Sequence, residues 1–353
     1  MVRLWRSEQV NTKHTMKYLF AAAALCLVYG SVFAAGQSSK YYRYVEPFSQ
    51  FARPEAAPEP ANNRSTPERV ELGKTLFFDP RLSGSNWISC ATCHNPALGW
   101  SDGLPTAIGN GMKVLGRATP TILNSAFQRI YMWDGRFRTL EAQALGPIAS
   151  DHEMSQDVDE VVEELRQIKG YREMFEKAYP GEGITKDTLA RAIAAFERTI
   201  VATDSPFDRW ARGDKSAVSE EAKRGFELFI GKARCVKCHQ GFNFSDDGFH
   251  NIGLKGDPDD GRFGVVPVKV LKGAFKTPTL RDVALTAPYM HNGIYKTLEE
   301  VVEHYNRGGD VKTNLDRNVR PLNLSKKEVK SIVAFLHTLT GDPIEIAVPL
   351  LPQ

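Results

Sequence analysis

The sequence predicts an all-α protein made of two similar halves, and three observations carry that reading. Apolar residues recur at helical spacing in several segments, whereas strand-like alternation is scarce. The stretches 119–141 and 277–299 align without a gap at an offset of 158, with ten of 23 positions identical, so the chain reads as a duplicated unit. Each half also contains one C-x-x-C-H segment, at 90–94 and at 235–239. The 353 residues suit about two domains, and 42% hydrophobic with 25% charged residues is an ordinary core-forming balance.

Taken in order, residues 1–34 read as a secretory signal peptide whose true start is Met16. Lys17 supplies the positive charge, 18–30 are apolar, and Val32-Phe33-Ala34 ends on a small residue. The apolar run is too short for a comfortable membrane span. Residues 35–64 are rich in Ala, Pro, Ser and Asn and read as an extended arm or linker. A helix is expected over 67–78, leading into the first cysteine motif. Amphipathic helix is expected over 158–179, interrupted at Gly170, and again over 186–203. Residues 204–216 read as a linker. Ser219 followed by acids starts a helix over 219–230 that leads into the second motif. A last helix over 325–339 buries Val329, Ile332, Val333, Leu336 and Leu339.

Removal of 1–34 takes away Arg3, Arg6, Lys13 and Lys17 against Glu8, and the formal charge falls from +3 to zero. No basic excess remains to hold a phosphate backbone, which argues against nucleic acid as a partner. The exported chain keeps four cysteines, Cys90, Cys93, Cys235 and Cys238, and all four lie in the two motifs. C-x-x-C-H is the attachment pattern of c-type haem. Two thiols add to the haem vinyl groups and the adjacent histidine ligates the iron. A four-cysteine zinc site would leave both histidines unexplained, and the spacing does not suit two disulfides. The expectation is two covalent haems with His94 and His239 as proximal ligands, one in each of two cytochrome c-like domains, 65–203 and 217–345.

The differences inside the repeat separate the two haems. Trp133 corresponds to His291, and Pro147 corresponds to Tyr305. Around Tyr305, residues Leu298, Val301, Val302 and Tyr305 share one helical face, so Tyr305 points inward. A tyrosine oxygen can ligate haem iron and proline cannot. The second haem is therefore expected to be six-coordinate, with His304 the rival ligand, and the first haem to be open on its distal side. An open iron can bind peroxide. Glu153 is the candidate acid–base group beside it, and Gln143 the candidate positioning group.

The chain resembles the bacterial dihaem cytochrome c peroxidases, and within them the MauG-type enzymes, over roughly residues 65–345. The resemblance rests on the two haem motifs, Trp133-Asp134-Gly135-Arg136, Gly146-Pro147 with Glu153-Met154, and the run from Thr286 to Gly293. In this family the ligand at position 305 is methionine in the peroxidases and tyrosine in MauG-type enzymes. The histidine with which ordinary peroxidases block the first haem has no counterpart in 95–120. The resemblance implies that Trp133 relays electrons between the haems. It also implies a calcium ion between them, held by carbonyls at Thr286 and Pro288, but the family's asparagine is Ala118 here. The surface tryptophan that serves MauG before its second haem motif is Ala233, which leaves Trp210 and Trp87 as candidates for such a route. The implied function is periplasmic: hydrogen peroxide reacts at the open haem and the two haems together oxidise a partner protein. The alternatives are a conventional peroxidase fed by a small redox protein, and a non-catalytic dihaem electron carrier, against which Pro147 counts.

Overall fold

The computed structural model describes residues 48–353. The expected signal peptide and the first part of the arm lie outside the described residues. Helices dominate the described chain: α1 (Pro67–Phe78), α2 (Cys90–Cys93), α3 (Leu140–Ala149), α4 (Val158–Gln167), α5 (Lys169–Ala178), α6 (Lys186–Glu197), α7 (Pro206–Ala211), α8 (Glu220–Ile230), α9 (Leu298–Arg307) and α10 (Lys326–His337). Among the described residues the sheet content is a single antiparallel pair, β1 (Phe249–His250) with β2 (Phe275–Lys276). Among the described residues no helix is long and apolar enough to cross a membrane.

Two buried clusters organise these elements. The first is built on Leu72, Leu76, Phe77, Tyr171, Phe175, Leu189, Ile193 and Phe196. The second is built on Phe207, Phe226, Phe229, Val302, Ile332, Phe335 and Leu336. Each half crosses a pair of helices on a glycine. A Cβ at Gly73 of α1 would fall on the Ala192 carbonyl and beside Phe196 Cβ; one at Gly225 of α8 would fall on the Ser331 carbonyl and beside Phe335 Cβ. The helices approach this closely only because no side chain intervenes.

The sequence repeat is a repeat of backbone geometry. Antiparallel bridges join Tyr131 to Phe137 and Tyr289 to Tyr295, which are equivalent at the same offset of 158. Met132 and Met290 share positive φ, 69° and 73°, as do Asn124 and Asp282, 61° and 57°. Thr139 caps α3 by accepting from the Ala142 amide at 3.1 Å, and Thr297 caps α9 by accepting from Glu300 at 3.2 Å. The halves meet about a pseudo-two-fold relation. The Ala118 amide donates to the His291 carbonyl at 2.7 Å, and its counterpart Lys276 donates to the Trp133 carbonyl at 2.8 Å.

Several boundaries differ from the sequence expectation. The interruption in 158–179 falls at Ile168, not Gly170. The helix expected over 186–203 ends at Glu197. Beyond it Asn124 takes over the backbone: its amide donates to the Ile200 carbonyl at 2.9 Å and its side-chain oxygen accepts from Ala202 at 2.9 Å. Within 204–216, α7 packs Phe207 and Ala211 into the second core. Asp208 on α7 accepts from Arg281 at 2.7 Å and lies 3.4 Å from Arg53 of the arm, whose guanidinium also donates to the carbonyls of Ala202 and Thr203. The arm sends Phe51 into the second core, and the C-terminal tail returns Ile344 and Ile346 to the first.

Candidate active site

A cavity of about 780 Å³ runs between the halves. Cys90, Cys93 and His94 open onto it from one side, and Cys235, Cys238 and His239 from the other. None of the four cysteines is in a disulfide. Nor do they gather into a metal site. The one close triad of potential ligands among the described residues is Cys238, Asp246 and His250. There His250 is clamped by carboxylates, 3.0 Å from Asp246 and 2.7 Å from Asp316, which together with the Cys238 sulfur raise its pKa to about 11.

The donor set fits haem. The short α2 and the 3-10 turn Cys235–Lys237 each present two thiols and then a histidine to the cavity. His94 Nδ1 lies 3.2 Å from the Trp100 carbonyl and His239 Nδ1 lies 2.8 Å from that of Phe244. A carbonyl there requires Nδ1 to carry the proton, which leaves Nε2 with a free lone pair to ligate iron. Burial lowers both imidazole pKa values and favours the neutral form that ligation needs.

The two distal sides differ. On α9, Leu298, Val301, Val302 and Tyr305 all face the cavity, and burial pushes the Tyr305 hydroxyl pKa up. His304 is fully buried on another face. Its Nε2 donates to the Ile252 carbonyl at 2.9 Å, and its Nδ1 lies 3.0 Å from the Tyr295 hydroxyl. Both ring nitrogens of the rival ligand are thus engaged by protein. On the equivalent helix α3, Pro147 takes the tyrosine's place, with Gln143 one turn before it and Glu153 just beyond, all lining the cavity. Burial raises the Glu153 pKa, and the Arg136 guanidinium, 3.9 Å away, opposes that shift. Arg136 is itself held by Asp134 at 2.8 Å, which also pairs with Arg117 at 2.6 Å. Gln143 Nε2 lies 3.7 Å from Met132 Sδ.

Between the halves, Trp133 donates its indole N–H to the Ala118 carbonyl at 2.9 Å. Its ring meets His291, its own repeat counterpart, edge-on at 6.2 Å. His291 stacks on Phe275 and bonds Asp257 at 2.6 Å. Thr286 and Pro288 line the cavity, but Ala118 offers no side-chain oxygen and its amide and carbonyl are already bonded. The residues present supply the carbonyl share of the implied calcium site without its side-chain donor, and a calcium ion needs six to eight oxygens. Ala233 is buried on the cavity wall. Trp87 is 53% exposed, three residues before Cys90, whereas Trp210 packs on Phe48 and Phe226 away from the cavity lining.

Lys276 and Glu197 are charged-type side chains of the cavity that no motif in the sequence marks. Lys276 is the repeat counterpart of Ala118, and Glu197 ends α6. Glu197 lies four residues after Ile193, on the apolar face of its helix, and an acid in that register was the available signal.

A family model described as di-haem cytochrome c peroxidase matches residues 67–216, and one for cytochrome c matches 222–340. The chain is 49% identical over 307 residues to the methylamine utilization protein MauG of Methylorubrum extorquens, covering 86% of this chain and 87% of that one. The chain belongs to the di-haem cytochrome c peroxidase family. Within this family it is also 43% identical to MauG of Methylophilus methylotrophus, over 87% of this chain and 92% of that one. It is 37% identical to the cytochrome c551 peroxidase of Pseudomonas aeruginosa, over 85% and 86%. Among solved structures, a MauG-like protein associated with microbial copper homeostasis matches with TM-score 0.77 and 30% identity, over 85% of this chain and 96% of that one. The protein is therefore a dihaem peroxidase-family enzyme with two cytochrome c-like domains and haem c cofactors. Peroxide and a partner protein follow from the family.

Proposed function

We propose that this family member is an exported, MauG-like enzyme that uses hydrogen peroxide to oxidise a partner protein, and that its two domains divide near 204–216. One observation carries the reading. At equivalent positions of the repeat the cavity receives Pro147 from one half and Tyr305 from the other. When bound, the haem of the first half supplies an iron able to take peroxide, and the pair of haems stores the oxidising equivalents.

The chain's own residues do the rest. His94 and His239, each with Nδ1 on a backbone carbonyl, would ligate the two irons. Proline at 147 has no side-chain donor to offer the first iron. Glu153 would move a proton between the two oxygens of a peroxide held there: burial raises its pKa, which makes the carboxylate a stronger base for the first oxygen's proton before the acid returns it to the second. Gln143 orients the peroxide. Tyr305 closes the second distal side with its hydroxyl oxygen, and Trp133 lies at the seam of the halves as an electron bridge. Trp87, exposed beside Cys90, is an exit point toward the partner.

The test is stopped-flow spectroscopy of the fully oxidised protein with stoichiometric hydrogen peroxide. A fast spectral change at both haems is expected, and Tyr305→Phe is expected to confine it to one. A reaction that starts only after one haem is reduced would replace this reading with a conventional cytochrome c peroxidase.

A further inference from the structure

The glycine crossings align the two halves in a second register. Gly73 meets Ala192 and Phe196, and Gly225 meets Ser331 and Phe335. Ile193 then corresponds to Ile332, and Glu197 to Leu336, and all four line the cavity. The second half therefore presents a leucine where the first presents a carboxyl group.

That carboxyl is isolated. Glu197 is 5% exposed, and its Oε2 has no hydrogen-bond partner. Arg198, its neighbour in the chain, donates through Nη2 to Glu141 at 2.6 Å while its buried Nη1 has no hydrogen-bond partner, and Glu141 also accepts from Asn63 at 2.8 Å. The Tyr131 hydroxyl donates to the carbonyls of Ser125 and Gln128. The remaining neighbour is Cys90 on the first haem motif, whose sulfur would be a non-titrating thioether in the holoprotein. A charged carboxylate without a partner in such a cavity is costly, so the neutral acid is favoured wherever no added positive charge is present. Burial, with Glu141 adding and Arg198 opposing, places its pKa at about 8.

We propose that Glu197 is a redox-linked proton site for the haem of the first half. Its carboxyl keeps a proton while that iron is ferrous. It releases the proton to solvent when the iron becomes ferric. One electron passes to a one-electron acceptor and one proton leaves Glu197, so the charge inside the cavity stays constant. A buried site gains from this because an added positive charge is then met by a carboxylate that is already in place. The proposal needs only the haem at Cys90 and Cys93, and stands or falls independently of the role given to Tyr305.

The experiment is a spectroelectrochemical titration of both haems in the holoprotein, from about pH 6 to about pH 10, bracketing the range in which the carboxyl titrates. In the native protein one midpoint is expected to fall as pH rises through the titration of Glu197. Its slope should approach a tenfold change in the reduction equilibrium per pH unit, about 59 mV for one electron. In Glu197→Gln, and in Glu197→Leu, which carries the residue of the sister half, that slope is expected to vanish. The pH response of the other midpoint should be unchanged. Redox-difference infrared spectra of the native protein should lose a protonated carboxyl band on oxidation, a readout that needs no variant. A native midpoint independent of pH, no carboxyl band change, or a slope that survives in either variant would overturn the proposal.

Discussion

The two halves share a scaffold down to single backbone angles, yet differ where side chains meet the cavity. Met132 and Met290, Asn124 and Asp282, Thr139 and Thr297 do the same structural work 158 residues apart. Pro147 and Tyr305, Glu197 and Leu336, Ala118 and Lys276 do not. Positive φ, helix caps and close crossings are demands of the backbone, and few residues meet them. A cavity-facing position on a rigid helix has no such demand, so it is where two copies of one fold can acquire different chemistry. On the proposed reading, an open iron beside a proton-exchanging carboxyl and a closed iron for electron storage would require only a few substitutions.

Four sets of variants test how far the halves are equivalent. The largest effect is expected from Glu153→Gln, which should slow the reaction of the oxidised protein with peroxide by about 10²- to 10⁴-fold in stopped-flow traces. An unchanged rate would mean that openness at Pro147 is the whole functional difference between the halves.

Next is Asp208→Ala. The junction of the halves depends on the buried Arg281–Asp208 pair, with Arg53 nearby. Loss of the carboxylate removes the anionic partner of a buried guanidinium and should cost about 3–5 kcal/mol, read as a lower Tm. Burial opposes ionisation of Asp208, but Arg281 prevails and holds its pKa below the ordinary carboxylate value. A lowered pKa in the folded state stabilises at pH values above the unfolded pKa of about 3.9. That contribution is lost as pH falls through the lower, folded value. The Tm difference between native protein and Asp208→Asn should therefore be constant near neutrality and shrink in acid.

Gly73→Ala and Gly225→Ala test whether the two crossings are equivalent. Each methyl would collide with a backbone carbonyl and should destabilise by about 1–3 kcal/mol in thermal melts. A large cost at only one would show that the sister crossing can relax. The smallest effect is expected from the caps. Thr139→Ala and Thr297→Ala should each cost about 1 kcal/mol and by similar amounts, because each removes one hydroxyl acceptor from the first turn of an equivalent helix.

Local covalent and periodic signals were legible without coordinates. The two C-x-x-C-H segments marked the candidate haem attachment points because thiol and imidazole chemistry acts over five residues of chain. The ungapped repeat announced the duplication, and Ser219 and Ser325 marked helix starts because a cap is a local hydrogen bond. The inward direction of Tyr305 followed from a 3.6-residue period alone. Helix ends were less legible where a distant residue decides them. Asn124 stops α6 by binding Ile200 and Ala202, 76 and 78 residues away in the chain. The packing of α7 and of the arm on the second core was not legible either, since Phe207 and Phe51 look alike whether exposed or buried. Only the tertiary structure brought Trp133 against His291, gave Asp134 to both Arg117 and Arg136, and left the Glu197 Oε2 without a hydrogen-bond partner. The physical reason is common to these cases. A ligand pattern or a cap is written in neighbouring residues, whereas a charge's partner and an acid's burial depend on what the rest of the chain places beside it.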